Sequence, residues 1–129
     1  YSLSGTLPAS LAQVATLTNV DLSGNTLSGP LPPAWSALAS LTRLVMQYNS
    51  LSGFLPISWS ALGSLGTLNL AYNTLTGSIP SSWMSALNLV RLDLRSNANM
   101  CGTISAGWTS GNVVLYDATS VTQVGHFAN

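Results

Sequence analysis

LTRLVMQYNSLSGFLPISWSALGS, residues 41–64, nearly superimposes on the chain to either side of it. Leu17 to Ser40 reads LTNVDLSGNTLSGPLPPAWSALAS, and Leu65 to Asn88 reads LGTLNLAYNTLTGSIPSSWMSALN. A repeat with a period of roughly 20–29 residues means one supersecondary unit stacked on copies of itself, because no single unit can bury its own apolar face.

Each repeat divides into two halves. In LxxLxLxxN, Leu41, Leu44, Met46 and Asn49 are expected to point one way and Arg43, Val45 and Gln47 the other. Such period-two alternation reads as a half-buried strand of about six residues. Copies one period apart pair in parallel, about 4.8 Å from each other. In LSGxLPxxWxxLxxL, Gly and Pro mark turns, and the spacing after Trp fits a short 3₁₀ or α turn on the opposite, convex side.

Residues 1–129 read as one domain: a partial repeat at 1–16, repeats at 17–40, 41–64, 65–88 and 89–112, and a degenerate terminal repeat at 113–129. The partial repeat has no polar cap. The array is therefore expected to be a fragment of a longer chain, or to have its first apolar face covered by a neighbour. In the fourth repeat an extra residue after Asn97 sets Met100, Gly102, Ile104 and Trp108 one position late, and Ser105 replaces Pro.

Composition narrows the function. Of the chain, 47% is hydrophobic and only 5% charged, with no Lys or Glu. Zero net charge argues against a nucleic-acid binder, which needs a basic stripe, and against a polybasic membrane patch. No apolar run approaches the ~18 residues of a membrane span. A surface made of Ser, Thr and Asn fits an extracellular or cell-surface glycoprotein context. No N-x-[ST] acceptor occurs, so any glycan would be O-linked.

Two ladders are expected to be structural. Asn25, Asn49, Asn73 and Asn97 recur where the strand bends, and their amides can satisfy the backbone groups freed there, partly through stacking on one another. Trp35, Trp59 and Trp83, with Trp108 out of register, stand at core phase; the alternative is an aromatic rail for carbohydrate or polyproline. Cys101 falls at the phase of Ser28, Ser52 and Thr76 and reads as a small buried residue, the alternative being a disulfide to a partner or to a flanking segment.

Specificity is expected where the columns vary. Four outward columns run Asn19, Arg43, Thr67, Arg91; Asp21, Val45, Asn69, Asp93; Ser23, Gln47, Ala71, Arg95; and Gly24, Tyr48, Tyr72, Ser96. The candidate binding residues are Arg43, Val45, Gln47, Tyr48, Asn69, Tyr72, Arg91, Asp93 and Arg95. Tyrosines beside a few convergent polar groups are what binding surfaces are enriched in. The plainer alternative is a solvated sheet face carrying Arg–Asp pairs.

Catalysis has little support. His126 is the single histidine, and no acid stands at a readable distance from it. Asp21 and Asp93 lie three coils apart, roughly 14 Å, too far for a carboxylate pair. One Cys and one His make no zinc set. No catalytic residue, metal ligand or cofactor is assigned.

The pattern LxxLxLxxNxLSGxLPxxW resembles the leucine-rich-repeat family in its 24-residue, plant-type form, over residues 3 to about 118. The Trp and the following SALxSL resemble repeats of green-algal and other protist proteins, including trypanosomatid surface antigens. The resemblance implies an α/β repeat solenoid, right-handed, with a parallel sheet on the concave face, a second short strand near LSGxLP and a non-enzymatic role in recognition. The expected function is binding of a protein or glycan through the concave strands. The competing expectation is a surface coat or filament built by end-to-end packing.

Overall fold

The computed structural model describes residues 2–87, 89–101, 103–104, 113–115 and 122–123. Each coil contributes a three-residue strand to a first parallel sheet: β2 (Asn19–Asp21), β4 (Arg43–Val45), β6 (Thr67–Asn69) and β8 (Arg91–Asp93), with β11 (Val113–Leu115) beside β8. These strands pair in the sequence period, Arg43 opposite Thr67 and Thr67 opposite Arg91. Backbone bonding runs on past the strand ends. The Met46 N–H donates to the Asn69 carbonyl at 2.8 Å and the Tyr48 N–H to the Ala71 carbonyl at 3.1 Å.

A second parallel sheet is ordered β1 (Ser4–Thr6), β3 (Thr26–Pro30), β5 (Ser50–Gly53), β7 (Thr74–Gly77) and β9 (Asn99–Met100). The strands β10 (Thr103–Ile104) and β12 (Thr122–Gln123) form a two-stranded pair. The return path holds 3₁₀ turns at Ala9–Gln13, Pro33–Ala37 and Ile57–Ala61. In the next coil it is an α-helix, α1 (Ser81–Ala86). The cause is one residue. WSAL in two coils becomes WMSAL in the third, so the Leu87 N–H reaches back four residues to Trp83, whereas Leu62 reaches back three to Trp59.

The inward residues form one continuous core from Leu7 to Met100. Trp35, Trp59 and Trp83 are fully buried, their rings 6.2 Å apart and within 6° of parallel. Each indole N–H donates to the preceding coil, Trp35 to Pro8, Trp59 to Pro32 and Trp83 to Pro56, at 2.8–2.9 Å. A buried indole needs such an acceptor. Burial leaves no ring face for a carbohydrate, so the column is core. Trp108 lies outside the described residues.

The asparagine ladder works differently from stacking amide on amide: its partners are backbone groups. The Asn73 amide donates to the Met46 carbonyl of the coil before it and to the Leu70 and Ala71 carbonyls of its own. Its oxygen accepts the Leu51 N–H at 3.0 Å. Asn49 and Asn97 repeat this set.

Glycine in LSGx has a steric reason as well as a positive φ. A Cβ on Gly77 would stand 2.5 Å from the Phe54 ring of the preceding coil, and one on Gly29 would stand 2.9 Å from the Thr6 methyl. The residue after each glycine lies across the next coil's glycine.

Cys101 is exposed and its thiol is free, which corrects the expectation of a buried residue. The extra residue after Asn97 lets Met100, which is 2% exposed, take the inward phase opposite Gly77. Its neighbour Cys101 then takes the outward phase, as Ser28 does.

Candidate ligand-binding face

The first sheet and the bend that follows it carry the candidate residues. Arg43, Val45, Asn69, Arg91 and Asp93 are strand residues, whereas Gln47, Tyr48, Tyr72 and Arg95 lie beyond the strands on the bend.

Residues 21, 69 and 93 shape that bend. The Asp21 carboxylate accepts the Ser23 N–H at 3.0 Å, the Asn69 side-chain oxygen Oδ1 the Ala71 N–H at 3.1 Å, and the Asp93 carboxylate the Arg95 N–H at 3.2 Å. An Asx side chain bonding two residues ahead is a turn device. This second column therefore has a local structural role that variability alone did not reveal. The fourth column is stranger. Gly24, Tyr48, Tyr72 and Ser96 all have left-handed backbone, with φ of 69°, 59°, 56° and 57°. Glycine tolerates that region freely, whereas a bulky residue there is strained.

Two of the nine candidates are not available to a ligand. Val45 is 4% exposed, and Asp93 is fully buried. Val45 sits between the Asp21 and Asn69 strand positions, and in a sheet this short those neighbours flank it closely. Asp93 is closed over by arginine: Arg95 grips it through Nε and Nη2 at 3.0 and 2.8 Å, and Arg91 approaches to 3.8 Å. The Asp93 carboxylate holds the Arg95 guanidinium above its ordinary pKa. One carboxylate thus serves two guanidiniums, and Arg91 keeps an exposed side chain.

The remaining candidates form two groups. The Tyr48 and Tyr72 rings stack at 4.4 Å and 13°, and both are exposed, by 52% and 42%. Partial desolvation in the stack, then repulsion from Tyr72, pushes the Tyr48 phenol up. Beside them the Asn69 amide donates to the Gln47 side chain at 2.8 Å. At the other end Arg43 donates to Asn19 at 3.3 Å and lies 3.7 Å from Asp21. That exposed pair is worth about 0–1 kcal/mol. The Ser23 hydroxyl, at 2.6 Å, and then the Ser23 N–H hold the Asp21 carboxyl below its ordinary pKa.

Outside this face, Phe54 and Ile57 stand 73% and 70% exposed beside the second sheet. The repeat pattern assigns neither of them a role; the available signal was an apolar residue at two variable positions, the x of LSGxLP and the residue after its Pro. Among the described residues no group of three or more His, Cys, Asp or Glu side chains is placed to hold a metal ion. Nor is any described helix long and apolar enough to cross a membrane. His126 lies outside the described residues.

A leucine-rich-repeat profile matches residues 15–75. No curated protein matches the sequence. Among solved structures, the ectodomain of the receptor kinase SOBIR1 from Arabidopsis thaliana superimposes with a TM-score of 0.84 over 95% of this chain, at 24% identity. The Arabidopsis receptor kinase HAESA, solved with the peptide hormone IDA and the co-receptor SERK1, gives 0.80 over 95% at 30% identity. A plant ice-binding protein gives 0.82 over 94% at 26% identity. The chain spans 67%, 21% and 39% of those three chains, respectively. With its parallel coils, short 3₁₀ turns and asparagine ladder, this chain belongs to the leucine-rich-repeat family, in its plant-type form.

Proposed function

We propose that the chain is a non-enzymatic recognition module that binds a polypeptide across the first sheet and its bend, outside the cell or at its surface. The observation that carries this reading is the exposed Tyr48–Tyr72 stack, built on backbone that disfavours both residues. Strain at a surface position costs stability and so points toward use. Gln47 and Arg95 lie on the bend beside the stack, and Arg43 and Arg91 stand further back on the strands, so the face offers polar groups for the partner's backbone and side chains. The likeness to HAESA, solved with a peptide hormone, supports a polypeptide as the partner class.

The test is selection of binders from a displayed random-peptide library on the immobilised chain. Selected peptides should lose about tenfold or more in affinity, roughly the 1.4 kcal/mol of one hot-spot contact, for the Tyr48→Asn/Tyr72→Asn variant. They should keep it for Phe54→Ser/Ile57→Ser. Equal loss in both variants, or in neither, removes this face from the reading.

A second reading rests on the other sheet. Its outward positions Thr26, Ser50 and Thr74, with Ser4, Ser28, Ser52 and Thr76, make rows of hydroxyls with no charged residue among them. Coils about 4.8 Å apart repeat those hydroxyls regularly. The likeness to a plant ice-binding protein makes ice a candidate ligand for that surface. Inhibition of ice recrystallisation, abolished by Ser28→Lys/Ser52→Lys, is the expected result; no inhibition by the unaltered chain rejects it.

A further inference from the structure

The column Gly24, Tyr48, Tyr72, Ser96 holds one open position. Tyr72 covers one face of Tyr48 at 4.4 Å. The other face is turned toward the coil carrying Gly24, whose N–H is tied to the Gln47 carbonyl at 2.9 Å. A Cβ built on Gly24 meets nothing within 4 Å. Successive coils lie about 4.8 Å apart, so the space above Gly24 has the thickness of one flat ring. Tyr72 shows as much one coil further on, where a ring fills the equivalent space.

We infer that this slot receives an aromatic side chain of the polypeptide partner, laid on the free face of Tyr48 and extending the stack by one ring. The inference rests on the polypeptide reading above and names the residue type that the partner must carry. Bordering chemistry separates an aromatic from a sugar. A sugar ring needs side-chain partners for its hydroxyls. Here the Ser23 hydroxyl donates to Asp21 at 2.6 Å, and the Asp21 carboxylate also takes the Ser23 N–H and lies near Arg43. The Asn25 amide donates to the Leu22 and Ser23 carbonyls and accepts the Leu3 N–H. Of these groups only the outer Asp21 oxygen is left over, too little for the several hydroxyls of a sugar ring, whereas the Tyr48 ring face is open. An aliphatic side chain would fill the slot without the attraction between offset aromatic rings.

The test uses the whole chain carrying 3-fluorotyrosine, with the Tyr48 resonance assigned from Tyr48→Phe. Titration with N-acetyltryptophanamide should shift the Tyr48 signal saturably, while N-acetylleucinamide and methyl glucoside should not. Gly24→Asn fills the slot with a residue that tolerates left-handed backbone. It should weaken the amide by roughly three- to tenfold, the worth of one aromatic pair. If that variant does not fold, Tyr48→Ser takes its place, read from the amide's own signals; Ser96 shows that serine is accommodated in this column. Equal shifts with methyl glucoside, or amide binding unchanged in folded Gly24→Asn or in Tyr48→Ser, overturns the slot. Selected peptides that need Tyr48 and Tyr72 but ignore Gly24→Asn also overturn it, and leave the wider reading standing.

Discussion

Tyr48 and Tyr72 stack ring on ring at 4.4 Å while each holds a left-handed backbone, at φ 59° and 56°. The two facts oppose one another energetically. Left-handed backbone costs a non-glycine residue about 1–2 kcal/mol, and an aromatic pair returns about 0.5–1.5 kcal/mol. Tyr48→Gly should therefore leave the urea midpoint nearly unchanged, because strain and stack are lost together. Tyr48→Ala keeps the strain and loses the stack, so it should lie about 1 kcal/mol below Tyr48→Gly. Equal midpoints for the two variants would show that the backbone there is not strained.

The ladder predicts a steep dependence on amide chemistry. Asn73 is 6% exposed and gives its N–H groups to three carbonyls. Asn73→Ala leaves buried backbone groups unpaired, at about 1–3 kcal/mol. Asn73→Asp sets an acceptor against those carbonyls and should cost more than Asn73→Ala, unless the acid is protonated. Asn25→Ala, at the exposed end, should cost less than either. Chemical denaturation of the three variants checks the order.

Gly77 and Phe54 give a coupled pair. Gly77→Ala incurs both the positive φ and a Cβ 2.5 Å from the Phe54 ring. Crowding of that kind costs about 1–3 kcal/mol beyond the backbone term. Adding Phe54→Ser should recover the steric part and leave the backbone part. Gly53→Ala, whose Cβ would meet only Pro30 at 3.8 Å, should show the backbone part alone. A double-mutant cycle with no coupling between 54 and 77 would contradict the packing.

Asp21 sets a weak acid dependence. Its folded carboxyl titrates below its ordinary value, held there first by the Ser23 hydroxyl. A depressed folded pKa contributes stability above the unfolded value and loses it as pH falls through the folded one. The Asp21 contribution is thus complete above about pH 4 and fades below it. Solvent exposure keeps it small. Carbon-13 titration of the Asp21 carboxyl should give a lower midpoint in the unaltered chain than in Ser23→Ala; identical midpoints would remove the hydroxyl as the cause.

The scaffold was legible in the sequence because solenoid physics makes its residues identical. Leu41, Asn49, Gly53, Pro56 and Trp59 each meet the same surroundings in every coil, so the repeat itself displays them. The candidate face was legible only in part. Val45 reads as outward by alternation and is outward, yet a three-residue strand flanked by polar neighbours leaves it 4% exposed. Asp93 reads as a surface charge, but two arginines from its own strand and bend enclose it. The left-handed column had one visible signal, Gly24 one period before Tyr48. That signal is weak, because aromatic residues rarely adopt that backbone. Phase places Cys101 in the correct column, and that column faces outward instead of into the core.

The ladder bonds all run one way. Trp35 reaches back to Pro8, Trp59 to Pro32, Asn49 to Leu22 and Asn73 to Met46. Each coil therefore fits onto a coil that precedes it in sequence. The Leu27 and Leu51 N–H groups in turn find their acceptors only on the asparagine of the coil that follows, so each coil is completed by the one added after it.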